Sequence, residues 1–438
     1  MAYIEKQWRE ITSTNPVSDK DFPQGLKNFK MSVGQGYGFI PAQSYFKVDL
    51  KIVKYGADKV EEKPDGTDLL TFSDSVCGNL FNNIYFNMGG QTVSSITTGL
   101  AQCDILKNRL TKSKAWNETV GVSQGFVPTH QVRNDLLNLV VADSSDPAYN
   151  TQRRYEQSFI WQPCLGIFDV ADPLGSGEYE IILNPSQDYQ TAGLSLPNVS
   201  DGTGVLTSPS PIVIGQADGQ YGLVVTGLRF YACMVRTNLA SSGPDELLLT
   251  EMSVHSKPIT KGQVDNIDME VSVPSSTMAL TLFLQDQQAG KIPHVPPSKF
   301  HLAGNNEDAL SLDDYQIEYA GMIKPTVRYK SEYDVNKNKL QQRYINSALE
   351  SGQYFNPSGF ESYLEYTERG PFLHETFIKS ADNLATRVHV SASYKINPTG
   401  AEAANVRDSR LFVIAHHTRT VKIVRQNGLI LNVLTQNS

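Results

Sequence analysis

Apolar and polar residues trade places at every step along much of this chain, and no other feature narrows its possible folds as far. Successive side chains of a strand point to opposite faces, so a strand with one wet face reads inside-outside-inside. Phe46, Val48, Leu50 and Ile52 alternate with Lys47, Asp49 and Lys51. Ile84, Phe86 and Met88 repeat the pattern, as do Tyr179, Ile181 and Leu183, and then Leu228, Phe230, Ala232 and Met234. The second half carries it on Ile267, Met269, Val271 and Val273, and at once on Met278, Leu280, Leu282 and Leu284. Val388, Val390, Ala392 and Tyr394 follow, then Leu411, Val413 and Ala415. Strands with one wet face belong to antiparallel sheets, not to the doubly buried parallel sheets of Rossmann or barrel enzymes. The chain is therefore expected to be all-β.

Turn chemistry agrees. Gly89-Gly90 between Ile84–Met88 and Gln91–Ile96 signals a two-residue hairpin, and Asn427-Gly428 does the same near the end, because both central positions of such a turn need φ > 0. Long Gly/Pro/Ser-rich connections, Leu194–Pro211 and Ala289–Gly304, suit Greek-key sandwiches whose strands cross between sheets. Two helices stand out, one in each half. Leu100, Cys103, Leu106 and Leu110 give one a one-sided stripe. Asp334 caps the other, in which Leu340, Tyr344, Ala348 and Leu349 share a side and Gly352 makes the stop. At 438 residues the chain is long enough for two or three domains. Ser241-Ser242-Gly243-Pro244 is the natural boundary. The expected division is an N-terminal arm over 1–40, a first β-sandwich over 41–242 and a second over 243–438. The arm reads either as a segment reaching a neighbouring subunit or as a loosely ordered terminus.

Charge and cysteine usage exclude some classes. The net charge is −8. It is spread evenly: residues 1–240 hold 19 Lys/Arg and 24 Asp/Glu, and residues 241–438 hold 19 and 22. A protein built to grip nucleic acid shows a clustered positive footprint. The one mildly basic stretch, Arg407, Arg410, Arg419, Lys422 and Arg425, reads as the solvated sides of edge strands, with a genome contact as the alternative. Cys77, Cys103, Cys164 and Cys233 lie far apart, without a metal-ligand spacing, and read as small buried hydrophobes. Charges near the N-terminus occupy the place of a signal peptide's apolar centre, and no apolar run reaches the roughly 18 residues of a membrane span. The expected origin is a cytosol-like compartment, which makes the sequons Asn117-Glu-Thr and Asn198-Val-Ser chance matches.

The order of segments resembles the double jelly-roll major capsid proteins of virophages, polinton-like viruses and related DNA viruses. Three places carry the resemblance. Ser44-Tyr45-Phe46-Lys47-Val48-Asp49-Leu50 is a long opening strand. Asn79 to Val93, reading Asn-Leu-Phe-Asn-Asn-Ile-Tyr-Phe-Asn-Met-Gly-Gly-Gln-Thr-Val, looks like that family's strand, tight turn and strand, with a polar helix after it. Pro163-Cys164-Leu165-Gly166-Ile167-Phe168-Asp169, followed by Tyr179–Asn184, matches a paired strand before the next hairpin. The resemblance implies two antiparallel eight-stranded sandwiches, each with one short helix inserted. It further implies a structural role, not an enzymatic one: a homotrimeric, pseudo-hexagonal capsomer tiling an icosahedral capsid. Partners would be further copies of itself, a penton protein and minor capsid proteins, with at most weak genome contact and no membrane span. The location would be the virion, after synthesis in the host cytosol and assembly in the infected cell.

Chemistry-bearing residues are few, and no catalytic, cofactor or metal residue is assigned. Adjacent His416 and His417 point to opposite faces of a strand, which suits shared metal binding poorly; His374 and His389 are the residues that would join them. Asp313-Asp314 beside Tyr315 reads as the start of a strand. Gly34-x-Gly36-x-Gly38 resembles half a phosphate loop without its helix. Phe230-Tyr231 and Tyr354-Phe355 are sugar platforms or, as we read them, packing residues. Two rivals stay open: a two-lobed glycan-processing enzyme with paired carboxylates in the cleft between lobes, and a carbohydrate-binding or attachment protein.

Overall fold

A computed structural model of the chain describes residues 5–17, 22–62, 71–126, 156–195, 199–200, 206–207, 215, 217–236, 243–259, 266–286, 300, 310–328, 341–356, 359–378, 384–396, 409–426 and 429–436. The first half contributes β1 (Glu5–Thr12), β2 (Lys27–Val33), β3 (Tyr37–Tyr55), β4 (Phe81–Met88), β5 (Gln91–Ile96), β6 (Glu156–Trp161), β7 (Gly177–Pro185) and β8 (Tyr221–Arg236). One sheet has the order β1-β8-β3-β6, with the short strand Glu61–Glu62 added at the end of β3; the facing sheet has the order β2-β7-β4-β5.

The second half repeats the plan. It supplies β9 (Glu246–Ile259), β10 (Asn266–Ser272), β11 (Thr277–Asp286), β12 (Leu310–Tyr319), β13 (Met322–Lys324), β14 (Leu373–Thr376), β15 (Arg387–Ile396) and β16 (Ser409–Gln426). Their sheets run β9-β16-β11-β14 and β10-β15-β12-β13. Each of β1 to β8 thus has a counterpart eight places later. One further strand, β17 (Leu429–Gln436), pairs with β16 beyond the point where β11 stops.

The alternation sets which face is dry. Phe46, Val48, Leu50 and Ile52 of β3 are buried, and so are Ile84, Phe86, Met88, Tyr179, Ile181 and Leu183 of the facing sheet. They meet in one aromatic-rich core, where Phe46 lies 4.8 Å from Phe230 and Phe81 stacks on Trp161 at 5.5 Å. Leu280, Leu282, Leu284, Val388, Val390, Leu411, Val413 and Ala415 fill a second core confined to the other sandwich. Met278 breaks the expected series. A register shift between Thr277 and Ala279 turns its side chain out, leaving it 46% exposed.

Residues 5–33, expected as an arm, instead supply β1 and β2. Phe29, Met31 and Val33 are buried and alternate with Lys30 and Ser32, a pattern that could have been read. β1 left no such trace, because among its residues only Ile11 is buried. The Gly89-Gly90 hairpin has φ of +55° and +80°, the mirror-image turn its glycines permit. Asn427-Gly428 lies outside the described residues, as does most of Leu194–Pro211 and Ala289–Gly304.

Candidate functional site at the lobe junction

The helix after β5, α1 (Leu100–Thr111), is the piece that joins the two sandwiches. The expected one-sided stripe is only part of it: ten of its twelve residues are buried. Leu100, Cys103, Leu106 and Leu110 belong to the core it shares with the first sandwich. Asp104 accepts hydrogen bonds from Ser75 Oγ at 2.6 Å and Trp161 Nε1 at 3.2 Å. Burial pushes its carboxyl up to about 6, against the pull of those donors and of Lys107. All four cysteines are free and buried, and burial raises their thiols, so none resembles an activated nucleophile.

The opposite side of α1 faces the second sandwich and is polar. Gln102 Nε2 donates to Gln285 Oε1 of β11 at 2.8 Å. Arg109 is fully buried and donates to Glu361 at 2.7–3.1 Å and to the Gly370 carbonyl at 2.8 Å. Its guanidinium lies 4.5 Å from the centre of the Phe372 ring. Arg369 completes the cluster, with Nε 2.7 Å from Asp74 Oδ2, Nη1 3.1 Å from Glu361 Oε2 and Nη2 3.3 Å from Asn108 Oδ1. Two guanidinium and two carboxylate groups, drawn from both sandwiches, neutralise one another out of water. Such a cluster specifies one docking geometry, since any slip leaves an unpaired buried charge.

Glu361 and Arg369 flank α3 (Tyr363–Glu368), which a capping box starts: Ser362 Oγ accepts from the Glu365 amide while the Glu365 carboxylate accepts from the Ser362 amide. Before it lies α2 (Gln341–Glu350), which Gly352 ends at φ +73°. Asp334, its expected cap, lies outside the described residues. Leu349, expected on the packed side, is 42% exposed, while Arg343, Ser347 and Ala348 are buried.

The remainder of the junction lies along β9, β16 and β17. Ser94 Oγ of β5 donates to Glu251 Oε1 of β9 at 2.5 Å, and burial lifts the Glu251 carboxyl to about 7. Arg419 donates to the Val93 carbonyl at 3.3 Å and Arg425 to the Pro244 carbonyl at 3.1 Å. The basic run is therefore not a solvated edge throughout. Two of its members hold main-chain oxygens at the junction, Arg410 is exposed and bonds Ser256, and Arg407 lies outside the described residues. Ile430 of β17 donates its amide to the Ser176 carbonyl of the first sandwich at 3.2 Å.

Of the four candidate histidines His374 and His416 come together, with ring centres 5.3 Å apart, and the other two stand elsewhere. His374 Nδ1 and His416 Nε2 each lie 2.8 Å from the hydroxyl of Thr281, on the outward face of the sheet. Burial lowers His374 to about 4 and His416 well below the usual value, so both are neutral imidazoles sharing one hydroxyl. His417 points to the other face, and His389 sits on the other sheet, 2.5 Å from Asp268. Among the described residues no group of three His, Cys, Asp or Glu could hold a metal ion.

Gly34, Gly36 and Gly38 lie where β2 turns into β3, with Gly36 at φ +81° and no helix after them. Asp314 accepts from Arg328 at 3.3 Å and from the Ser393 amide at 3.2 Å, at an irregularity in β12. Asn117 is buried and its amide donates to the Ser113 carbonyl, which makes it a poor glycan acceptor; Asn198 lies outside the described residues. Phe230 is core, as expected. Tyr354 and Phe355 are not packing residues: they stand 51% and 81% exposed, with ring centres 5.0 Å apart.

The rival enzyme needed an open cleft between lobes. α1 and the aromatic rings around it fill that space instead, and Glu251 and Asp104, the raised carboxyls there, are buried. An open depression of about 700 Å³ lies on the second sandwich, away from the junction, lined by Glu270, Glu318, Tyr319, Leu384, Arg387 and His389.

The strand orders 1-8-3-6 and 2-7-4-5, present twice, define a double jelly-roll protein. Solved structures bear this out. The mavirus major capsid protein matches with a TM-score of 0.53 at 10% identity, over 99% of this chain and 90% of that one. A chain of the Sputnik virophage matches at 0.57 and 10% identity, over 100% and 89%. The Faustovirus major capsid protein matches at 0.54 and 10% identity, over 97% and 91%. No family model and no curated protein matches the sequence.

Proposed function

We propose that this chain is the major capsid protein of an icosahedral DNA virus, a structural subunit of the virion. The observation that carries the reading is the double jelly roll locked into one rigid block, together with its likeness over nearly the whole chain to two major capsid proteins. Three copies form a capsomer with six sandwiches, hence pseudo-hexagonal, and these tile the shell through many weak lateral contacts that add by multivalency. Residues 41–242 and 243–438 act as its two domains, with β1 and β2 completing the first. A rigid junction matters for this task, because a shell repeats whatever angle its block sets. Further partners are a penton protein and minor capsid proteins, and assembly follows synthesis in the host cytosol.

Light scattering and electron microscopy of the purified chain test the reading. A stable particle of three 48.5 kDa chains, or shell fragments built from it, is the expected result. A monomer that cleaves glycans rejects it.

A further inference from the structure

Helix α2 is apolar on its outer side as well as on its inner one, where Tyr344 and Ala348 join the core. Its buried residues include Arg343 and Ser347, while Ile345 and Leu349, one turn apart, are 39% and 42% exposed. Tyr354 and Phe355 stand beyond its end, and the Tyr354 amide is bonded to the Ala348 carbonyl at 2.9 Å. An outward apolar face of this kind marks a surface that a partner covers.

The chain's own repeat identifies the partner. Helix α1 follows β5 of the first sandwich, and α2 follows β13, the counterpart of β5, in the second. α1 is covered by the outer face of sheet β9-β16-β11-β14. There Phe283 and Phe412, opposite each other, stack at 5.1 Å with Phe300 upon Phe283, and Arg109 lies over Phe300. Val254, opposite Ile414, packs on Gly99 at the start of α1. The first sandwich has the same places on its own outer face. Tyr45 and Tyr231, opposite each other, stack at 5.4 Å, and Trp8 lies opposite Cys233, two residues on. Tyr45 and Tyr231 are only half-buried, and Trp8 is 48% exposed.

We propose that α2 and the Tyr354-Phe355 pair of one copy dock over Trp8, Tyr45 and Tyr231 of the next copy, repeating between chains the contact that joins the sandwiches within a chain. This rests on the capsid reading and gives its capsomer a surface. The contact joins unlike surfaces, so it builds a closed ring or an open filament instead of a two-fold pair, and the three-copy capsomer of the capsid reading is the closed case.

Sedimentation velocity on the full chain tests it. Wild type and Leu349→Met sediment as trimers; Leu349→Glu, Phe355→Glu and Trp8→Glu each sediment as monomers with an unchanged circular dichroism spectrum. Leu349→Glu and Trp8→Glu each keep one intact surface, so an equimolar mixture of the two yields a one-to-one dimer. A trimer that survives all three Glu substitutions, or a mixture that stays monomeric, overturns the docking surface and leaves the capsid reading standing. A wild-type chain that is monomeric and builds no particle sinks both.

Discussion

The guanidinium of Arg109 grips the carboxylate of Glu361 across 252 residues of chain, with Nε at 2.9 Å and Nη2 at 2.7 Å from the same oxygen. Neither side chain is more than 2% exposed. Helix α1 of the first sandwich is thereby tied to the loop before α3 of the second.

Arg109→Met keeps the unbranched apolar stem of the side chain and removes its donors. Glu361 is left to Arg369 alone, and the Gly370 carbonyl loses its 2.8 Å partner. Breaking a buried pair on one side costs about 3–5 kcal/mol. Urea unfolding should show a loss of that size, together with a second transition as the sandwiches begin to melt separately. A variant as stable as wild type would remove the cluster from any role in docking.

Glu251 makes stability fall as pH rises. An unfolded glutamate titrates near pH 4.3, whereas burial holds this one at about 7. Between those values the folded chain keeps a proton that the unfolded chain has released. The contribution is therefore complete below the unfolded pKa and is lost as pH climbs through about 7. Glu251→Gln still accepts from Ser94 and carries no charge to desolvate. It should be more stable than wild type by roughly 1–3 kcal/mol at pH 8 and equal to it near pH 4. A gain of the same size at both pH values would show that charge is not the cause.

Legibility in the sequence followed the range of the forces involved. The dry faces of β3, β4, β7 and β8 could be read because alternation is a local property of a half-wet strand. β1 could not, since neither of its faces is dry apart from Ile11. On α1 the stripe Leu100, Cys103, Leu106 and Leu110 is visible in the sequence, but nothing local marks Gln102 and Arg109 as buried. Their partners, Gln285 and Glu361, come from the other sandwich, and no local pattern announces them. The packing preference of aromatic residues points Tyr354 and Phe355 inward, and only burial reveals that this chain does not cover them.

Thr281 supports two imidazoles at once, being 2.8 Å from His374 Nδ1 and 2.8 Å from His416 Nε2. A hydroxyl can donate to one ring nitrogen and accept from the other. Thr281→Val matches its shape and leaves both rings without that partner, at roughly 1–3 kcal/mol for each polar group stranded. Thermal unfolding at pH 7 should show the loss. Because His374 is lowered to about 4, wild type is fully stabilised above the unfolded value near 6.5 and weakens as pH falls through 4. His374→Gln should make that acid limb shallower, the remainder belonging to His416 and His417, which burial also lowers. An unchanged acid limb would mean that the ring is protonated in the folded chain.

The C-terminal strand holds the first sandwich through two side chains, Val433, which is buried in the shared core, and Ile430. A Cβ added at Gly177 would lie 2.8 Å from Ile430 Cδ1, and one at Gly89 would lie 3.1 Å from Ile430 Cγ2, so the isoleucine fills the space those glycines leave. The Ile430 amide adds its bond to the Ser176 carbonyl. On the far side of the strand Leu431 and Leu434 are exposed and contribute little burial within the chain. Ile430→Asp places a charge against two glycine backbones and should free β17, raising hydrogen exchange of its amides by ten-fold or more while the amides of β3 and β8 stay protected. Gly177→Ala is the contrasting case. Ile430 Cδ1 can turn aside, but its Cγ1 and Cβ, 3.2 and 3.3 Å from the added methyl, must shift by a few tenths of an ångström, so exchange in β17 should rise by less than for Ile430→Asp. If Ile430→Asp leaves β17 as protected as wild type, the strand is held by its pairing with β16 and by the buried Val433.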